Sequence, residues 1–255
     1  MDLFNPREPF NTWSHGLWLA LALPGIVLLW WRGQGDRGKQ WSFLVYGLGL
    51  IACSAASTLY HGVQTSSDRI RMFALIDYTG IYVLIAGSYT AIVWNVLRGS
   101  WRRGSLIVVW LFAAVGTTLR LLSATSPDWL STVLYLAMGW GAVLCYFEVA
   151  RWLTHRSLLL IVVGGVLYSL GAVINLLHQP VLWPGVFQAH ELFHLFVVAG
   201  SMAHYWFMLT VIAPYSGRAE ILPCTDGLMS DPIEPASPGW SRAGAGLLDT
   251  RLESS

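Results

Sequence analysis

The sequence predicts an all-α membrane protein, a bundle of seven transmembrane helices, on three observations. Hydrophobic residues fill 55% of the 255 positions and charged residues only 11%, against about a quarter charged in soluble domains. Mean hydropathy is +0.54, more apolar side chain than a compact globule can hide from its own wetted surface. The apolar residues also fall into seven runs of the length, about 20 residues, that a bilayer-crossing helix needs. A formal net charge of +1 excludes a polyelectrolyte partner, so nucleic acid binding is not expected. Cys53, Cys145 and Cys224 show no CxxC spacing, which argues against a disulfide scaffold or a thiolate metal site.

In chain order, the first predicted span is 13–31. An acidic, proline-flanked segment precedes it in place of a basic leader, so it reads as a retained helix and not as a cleavable signal. The second and third spans are 41–61 and 73–97. The fourth, 104–122, ends at the Ser126-Pro127 turn; the fifth is 128–150, the sixth 157–177 and the seventh 188–212. Connections carry the arginines, glycines and prolines expected of turns. Residues 1–215 thus form the membrane domain. Residues 216–255, dominated by Ser, Gly, Pro and acidic residues, read as a disordered polar tail. With no soluble domain left over, chemistry is expected among the helices. Odd-numbered loops hold Arg32, Arg37, Lys39, Arg98, Arg102, Arg103, Arg151 and Arg156, against Arg7, Arg69, Arg71 and Arg120 opposite. The positive-inside rule then predicts cytoplasmic odd loops and an N-terminus outside.

Ionisable groups inside spans cost about 2.5–3.5 kcal/mol each on insertion scales, so each needs a reason. The seventh span opens with His190-Glu191-Leu192-Phe193-His194. Two histidines four apart share a helix face and can reach one ion; the plainer reading is two helix-end imidazoles wetted at the interface. The second span ends with Ser57 and His61, again four apart, and the third carries Asp77 near its start. Even-numbered loops all lie on one side of the membrane, so these three segments meet at one depth. Three histidines with an open water position form the coordination of a catalytic zinc. A carboxylate nearby can orient or deprotonate that water. His204 is ten residues beyond His194, about 15 Å along the axis, and reads as a polar contact between helices. The same string is also HExxH, the zinc-protease pattern with Glu191 as base. Asp77 would then be an extra ligand and His61 redundant, while Glu191 is turned about 100° around the helix from His190.

Several ordered motifs together resemble the hemolysin III group of the progestin and adipoQ receptor family. They are Glu8-Pro9-Phe10-Asn11-Thr12-Trp13-Ser14-His15, Ser57-x-x-x-His61, Asp77-Tyr78-x-Gly80, Tyr135-Leu136-Ala137-Met138-Gly139-Trp140, Gly165-Val166-Leu167-Tyr168-x-x-Gly171, and the HExxH at His190. The likeness spans about residues 8–212. It implies an adiponectin-receptor-like seven-helix bundle in a cell membrane, here a bacterial inner membrane. It also implies zinc (Zn2+) on His61, His190 and His194, with Asp77 acting on the metal's water and Ser57 behind the ligands. Adiponectin receptors look similar but carry Gln where this chain has Glu191, which argues against an obligatory base there. They also imply a cytoplasmic N-terminus, opposite to the charge bias followed here. Asn11 and His15 read either as a polar layer behind the metal or as helix-start caps. Ile174-Asn175 departs from the family's frequent Phe-Tyr, a difference expected to bear on packing and not on the metal.

Three functions stay open on this reading. One is a zinc-dependent hydrolase of lipid amide or ester bonds, ceramidase-like, with a membrane lipid as substrate or a place in membrane-lipid homeostasis. Another is a receptor, sensor or pore-forming hemolysin with structural zinc. The third is an intramembrane metalloprotease.

Overall fold

The computed structural model describes residues 5–122 and 128–217. The predicted tail beyond its first two residues, and the Ser126-Pro127 turn, lie outside them. Eight α-helices follow one another: α1 Pro9–Arg32, α2 Arg37–Gly62, α3 Ser67–Val96, α4 Gly99–Leu122, α5 Asp128–Trp140, α6 Ala142–Val149, α7 His155–Leu177 and α8 Ala189–Phe207, the last continued by a π turn over Met208–Ile212. With α5 and α6 read as one span, seven helices among the described residues are long and apolar enough to cross a membrane. Helices outrun the predicted spans at their polar ends. Hydropathy marks the hydrocarbon-embedded part, while α3 begins with Ser67-Asp68-Arg69 and α2 with Arg37-Gly38-Lys39, which lie at interface level.

Three of the starts, those of α1, α2 and α7, have a visible local cause. Pro9 occupies the first turn of α1, where its missing N–H is no loss. Asp36 Oδ1 accepts from the Lys39 N–H at 3.0 Å and Thr154 Oγ1 from the Ser157 N–H at 3.2 Å, each satisfying a donor that a helix start leaves open. The fifth span, predicted continuous, breaks at Gly141. Tyr89 Oη of α3 donates to the carbonyls of Met138 at 2.9 Å and Gly139 at 3.2 Å just before that break. Hydropathy alone does not show it, although Gly139 and Gly141 flank Trp140 there.

The outward faces are apolar: Leu144 and Phe147 are each 77% exposed, which suits lipid and not water. Inside, Phe43, Tyr46, Leu50, Leu29, Phe207 and Met208 form the buried seam. An odd number of spans makes the first and last helices parallel, and they lie side by side. Trp18 Nε1 donates to Ser201 Oγ at 2.9 Å, and Tyr205 Oη to the Gly25 carbonyl at 2.9 Å.

Helices α2 and α3 run antiparallel at glycine distance. A Cβ on Gly80 would stand 2.8 Å from Cys53 Cα, on Gly49 3.2 Å from Leu84 Cα, and on Gly87 3.2 Å from Tyr46 Cα. This register sets Asp77, one turn before Gly80, opposite Ser57. Gly80→Ala forces backbone apart at that seam and is expected to cost about 1–3 kcal/mol, read as a lowered melting temperature of the detergent-solubilised protein. An unchanged melt would show that the seam is loose.

Candidate metal centre

The C-terminal carbonyls of a helix lack partners within it, and in α2 they are met by the segment that leads into α1. Arg7 donates from its guanidinium to the Tyr60 carbonyl at 2.6 Å, and the backbone N–H of Glu8 donates to the His61 carbonyl at 3.0 Å. This docking lays the Glu8 side chain against His61, whose Nδ1 donates to Glu8 Oε2 at 2.5 Å. Burial pushes the Glu8 carboxyl up, but His61, Asn11 and Arg7 outweigh it and hold it at about 2. A carboxylate only accepts, so Nδ1 is the donating nitrogen of His61, which leaves Nε2 as the nitrogen available to a metal.

The first turn of α8 is closed by a reciprocal cap between Gln188 and Glu191, with the Gln188 N–H donating to Glu191 Oε2 at 2.8 Å. That cap sets the rotation of the helix start and with it His190 and His194, one turn apart on one face. His190 Nδ1 donates to Asn175 Oδ1 of α7 at 2.9 Å. Its Nε2 lies 3.1 Å from His194 Nε2.

One nitrogen each from His61, His190 and His194 lies within 4.8 Å of the others, an arrangement that can hold a metal ion. The three ring centroids are separated by 4.7–5.2 Å. His61 and His194 are 1% and 3% exposed. His61 Nε2 is buried and makes no hydrogen bond among the described residues. The donor set fits a divalent transition ion: imidazole bonds of about 2.0–2.1 Å in a tetrahedron put nitrogens about 3.3 Å apart. Oxygen acceptors on the far nitrogens of His61 and His190 are the usual device for aiming imidazole ligands. Glu8→Gln is expected to weaken divalent-metal binding by about 10–100-fold in a competition titration against a chelator; equal affinity would show that Glu8 does not aim the ring.

The other sequence-predicted residues fall into place around these rings. Ser57 is buried and Asp77 stands beside it across the α2–α3 seam, with His61 and Glu8 as its further electrostatic neighbours. Asp77 is ten residues into α3, not near its start, because α3 begins before the apolar run. His15 packs edge-on to His194 at 4.7 Å between centroids. Neither of its nitrogens has a hydrogen-bond partner among the described residues. Asn11 touches Glu8 and Glu191 and caps no helix. His204 Nε2 approaches the Ile161 carbonyl at 3.4 Å, a contact between α7 and α8 as its spacing predicted. Glu191 is held by Gln188 and Asn11.

A further expectation is corrected. Asn175, read as a packing difference, is the residue that holds His190. Sequence alone also missed the part of Glu8: an acidic residue before an apolar run reads as a solvated flank, and only its place in the Glu8-x-x-Asn11 motif marked it.

A family profile described as Haemolysin-III related matches residues 4–205. "Hemolysin-3" of Bacillus cereus is 29% identical over 216 residues, covering 84% of this chain and 95% of that protein. "Hemolysin-3 homolog" of Bacillus subtilis (strain 168) is 30% identical over 206 residues, covering 80% and 93%. "Adiponectin receptor protein" of Drosophila melanogaster is 28% identical over 223 residues, covering 78% of this chain and 49% of that one. With seven membrane-length helices, a multi-pass place in the cell membrane and a profile match over most of its length, the chain belongs to the haemolysin-III-related family.

Proposed function

We propose that the protein is a zinc-dependent hydrolase of amide or ester bonds in membrane lipids. The observation that carries this reading is a three-imidazole donor set with a half-buried carboxylate, Asp77, one helical turn deeper than His61 and beside Ser57. His61, His190 and His194 would hold zinc, which would supply Lewis acidity toward a carbonyl and a water. Asp77 would take the proton given up by the attacking water and return it to the leaving amine or alkoxide as the acyl C–N or C–O bond breaks, with Ser57 beside it across the α2–α3 seam. Glu8 and Asn175 keep the lone pairs of His61 and His190 turned inward.

A cavity of about 260 Å³ lies among α3, α5, α6, α7 and α8, walled by groups such as Ile81, Tyr135, Val197 and Phe207. Phe193 is part of that wall, and its ring lies 5.5 Å from that of His194. An acyl chain is the ligand class such an apolar channel suits, with its polar end toward the histidines. The intramembrane-protease alternative is weaker because Glu191, its required base, is engaged by the Gln188 N–H and by Asn11.

The test is elemental analysis of detergent-purified protein together with turnover of an N-acyl lipid. About one zinc per chain and release of a fatty acid are expected. Bound zinc without turnover of any acyl-amide or acyl-ester lipid would overturn the hydrolase and leave a receptor or sensor with structural metal.

A further inference from the structure

The three imidazoles come from two places: His61 from the end of α2, His190 and His194 from the start of α8. We infer that Asn11 of α1 is the positioning residue that couples them, tying the carboxylate that aims His61 to the carboxylate that caps the helix carrying His190 and His194. This builds on the zinc reading above but not on hydrolysis.

Asn11 is fully buried. Its Nδ2 donates to Glu8 Oε2 at 3.0 Å and to Glu191 Oε1 at 3.2 Å. An amide nitrogen carries two hydrogens, one for each carboxylate. Glu8 Oε2 is the same oxygen that accepts from His61 Nδ1. The other oxygen of Glu191 closes the cap of α8. One side chain therefore stands in an unbroken path from the ring of α2 to the first turn of α8. The orientation of the amide is set by chemistry: reversed, its oxygen would face two carboxylate oxygens. Two carboxylates brought together at a half-buried point repel more than they would in open water, and the shared donor holds them there. Because α1 and α8 lie parallel, with Trp18 on Ser201 and Tyr205 on Gly25 further along, a shift of Asn11 is a shift of the α8 start relative to α2.

The test uses full-length protein in detergent, with Asn11→Asp and Asn11→Ala beside wild type. Asp is nearly isosteric, so a packing role tolerates it. A coupling role does not, since Asp brings a third carboxylate and no donor. Zinc affinity by chelator competition is expected to fall about 10–100-fold in each variant, further for Asn11→Asp than for Asn11→Ala. The visible absorption of the cobalt(II)-loaded protein should lose its tetrahedral intensity. In a Glu8→Gln background, Asn11→Ala should cost much less than alone, because the shared path is already cut. If Asn11→Asp does not fold, as judged by elution and helical circular dichroism, Asn11→Ala carries the test without adding charge. Zinc affinity within about twofold of wild type and an unchanged cobalt spectrum would overturn the inference, as would strictly additive losses in the double variant. Wild type that binds zinc but hydrolyses no lipid sinks the hydrolase alone; wild type that takes up no metal sinks both.

Discussion

His194→Ala is expected to empty the metal centre, with zinc falling from about one per chain to background in elemental analysis. His194 is the ligand with most to lose. It is 3% exposed, and its ring centroid lies 4.7 Å from those of His15, His61 and His190. Removing it leaves two imidazoles from different helices, below the three protein ligands that a four-coordinate zinc with an open position requires. The loss of affinity should exceed the 10–100-fold expected when only an orienting partner is removed. A second readout separates metal loss from misfolding. Zinc at a hundred times its Kd should stabilise the wild type by about 2.7 kcal/mol and raise its melting temperature, whereas the variant should melt at one temperature with or without zinc. A variant that keeps its zinc would mean that the ion is held elsewhere.

Asp77→Asn should abolish lipid hydrolysis while leaving zinc in place. The side chain is the same size and sits at the α2–α3 seam, where register and not metal ligation sets its position, so fold and zinc content should persist. The amide cannot accept the proton that the carboxylate takes. Removal of a general base typically costs about 10²–10⁴-fold in rate, to be read as kcat on an N-acyl lipid at equal zinc occupancy. A variant that turns over at the wild-type rate would make Asp77 a structural group and return the proton transfer to another residue. Loss of zinc together with activity would instead place Asp77 among the ligands, which its lower position opposite Ser57 opposes.

Much of this arrangement was legible because a bilayer simplifies inference. Hydrocarbon thickness sets the length of each span, and the parity of the loops decides which helix ends share a side. From those two facts His61, His190 and His194 meet at one level, although 133 positions separate the first from the last. The spacing of His190 and His194, and of Ser57 and His61, is a property of a single helix. It follows from 3.6 residues per turn without knowledge of any neighbour.

What the sequence by itself determined was therefore whatever depends on one helix and one membrane: the seven spans, the side on which polar residues gather, and the ring pairs that share a face. Tertiary structure decided which partners meet those rings. Glu8 reaches His61 because the segment before α1 covers the open carbonyls of α2. Asn175 reaches His190 because α7 and α8 pack antiparallel, and Asn11 joins two carboxylates because the first and last helices lie side by side. The break at Gly141 belongs with these. Hydropathy reports how apolar a stretch is, but rotation about a helix axis and contact across a seam are set by packing between helices, and a single chain of letters holds no coordinate for either.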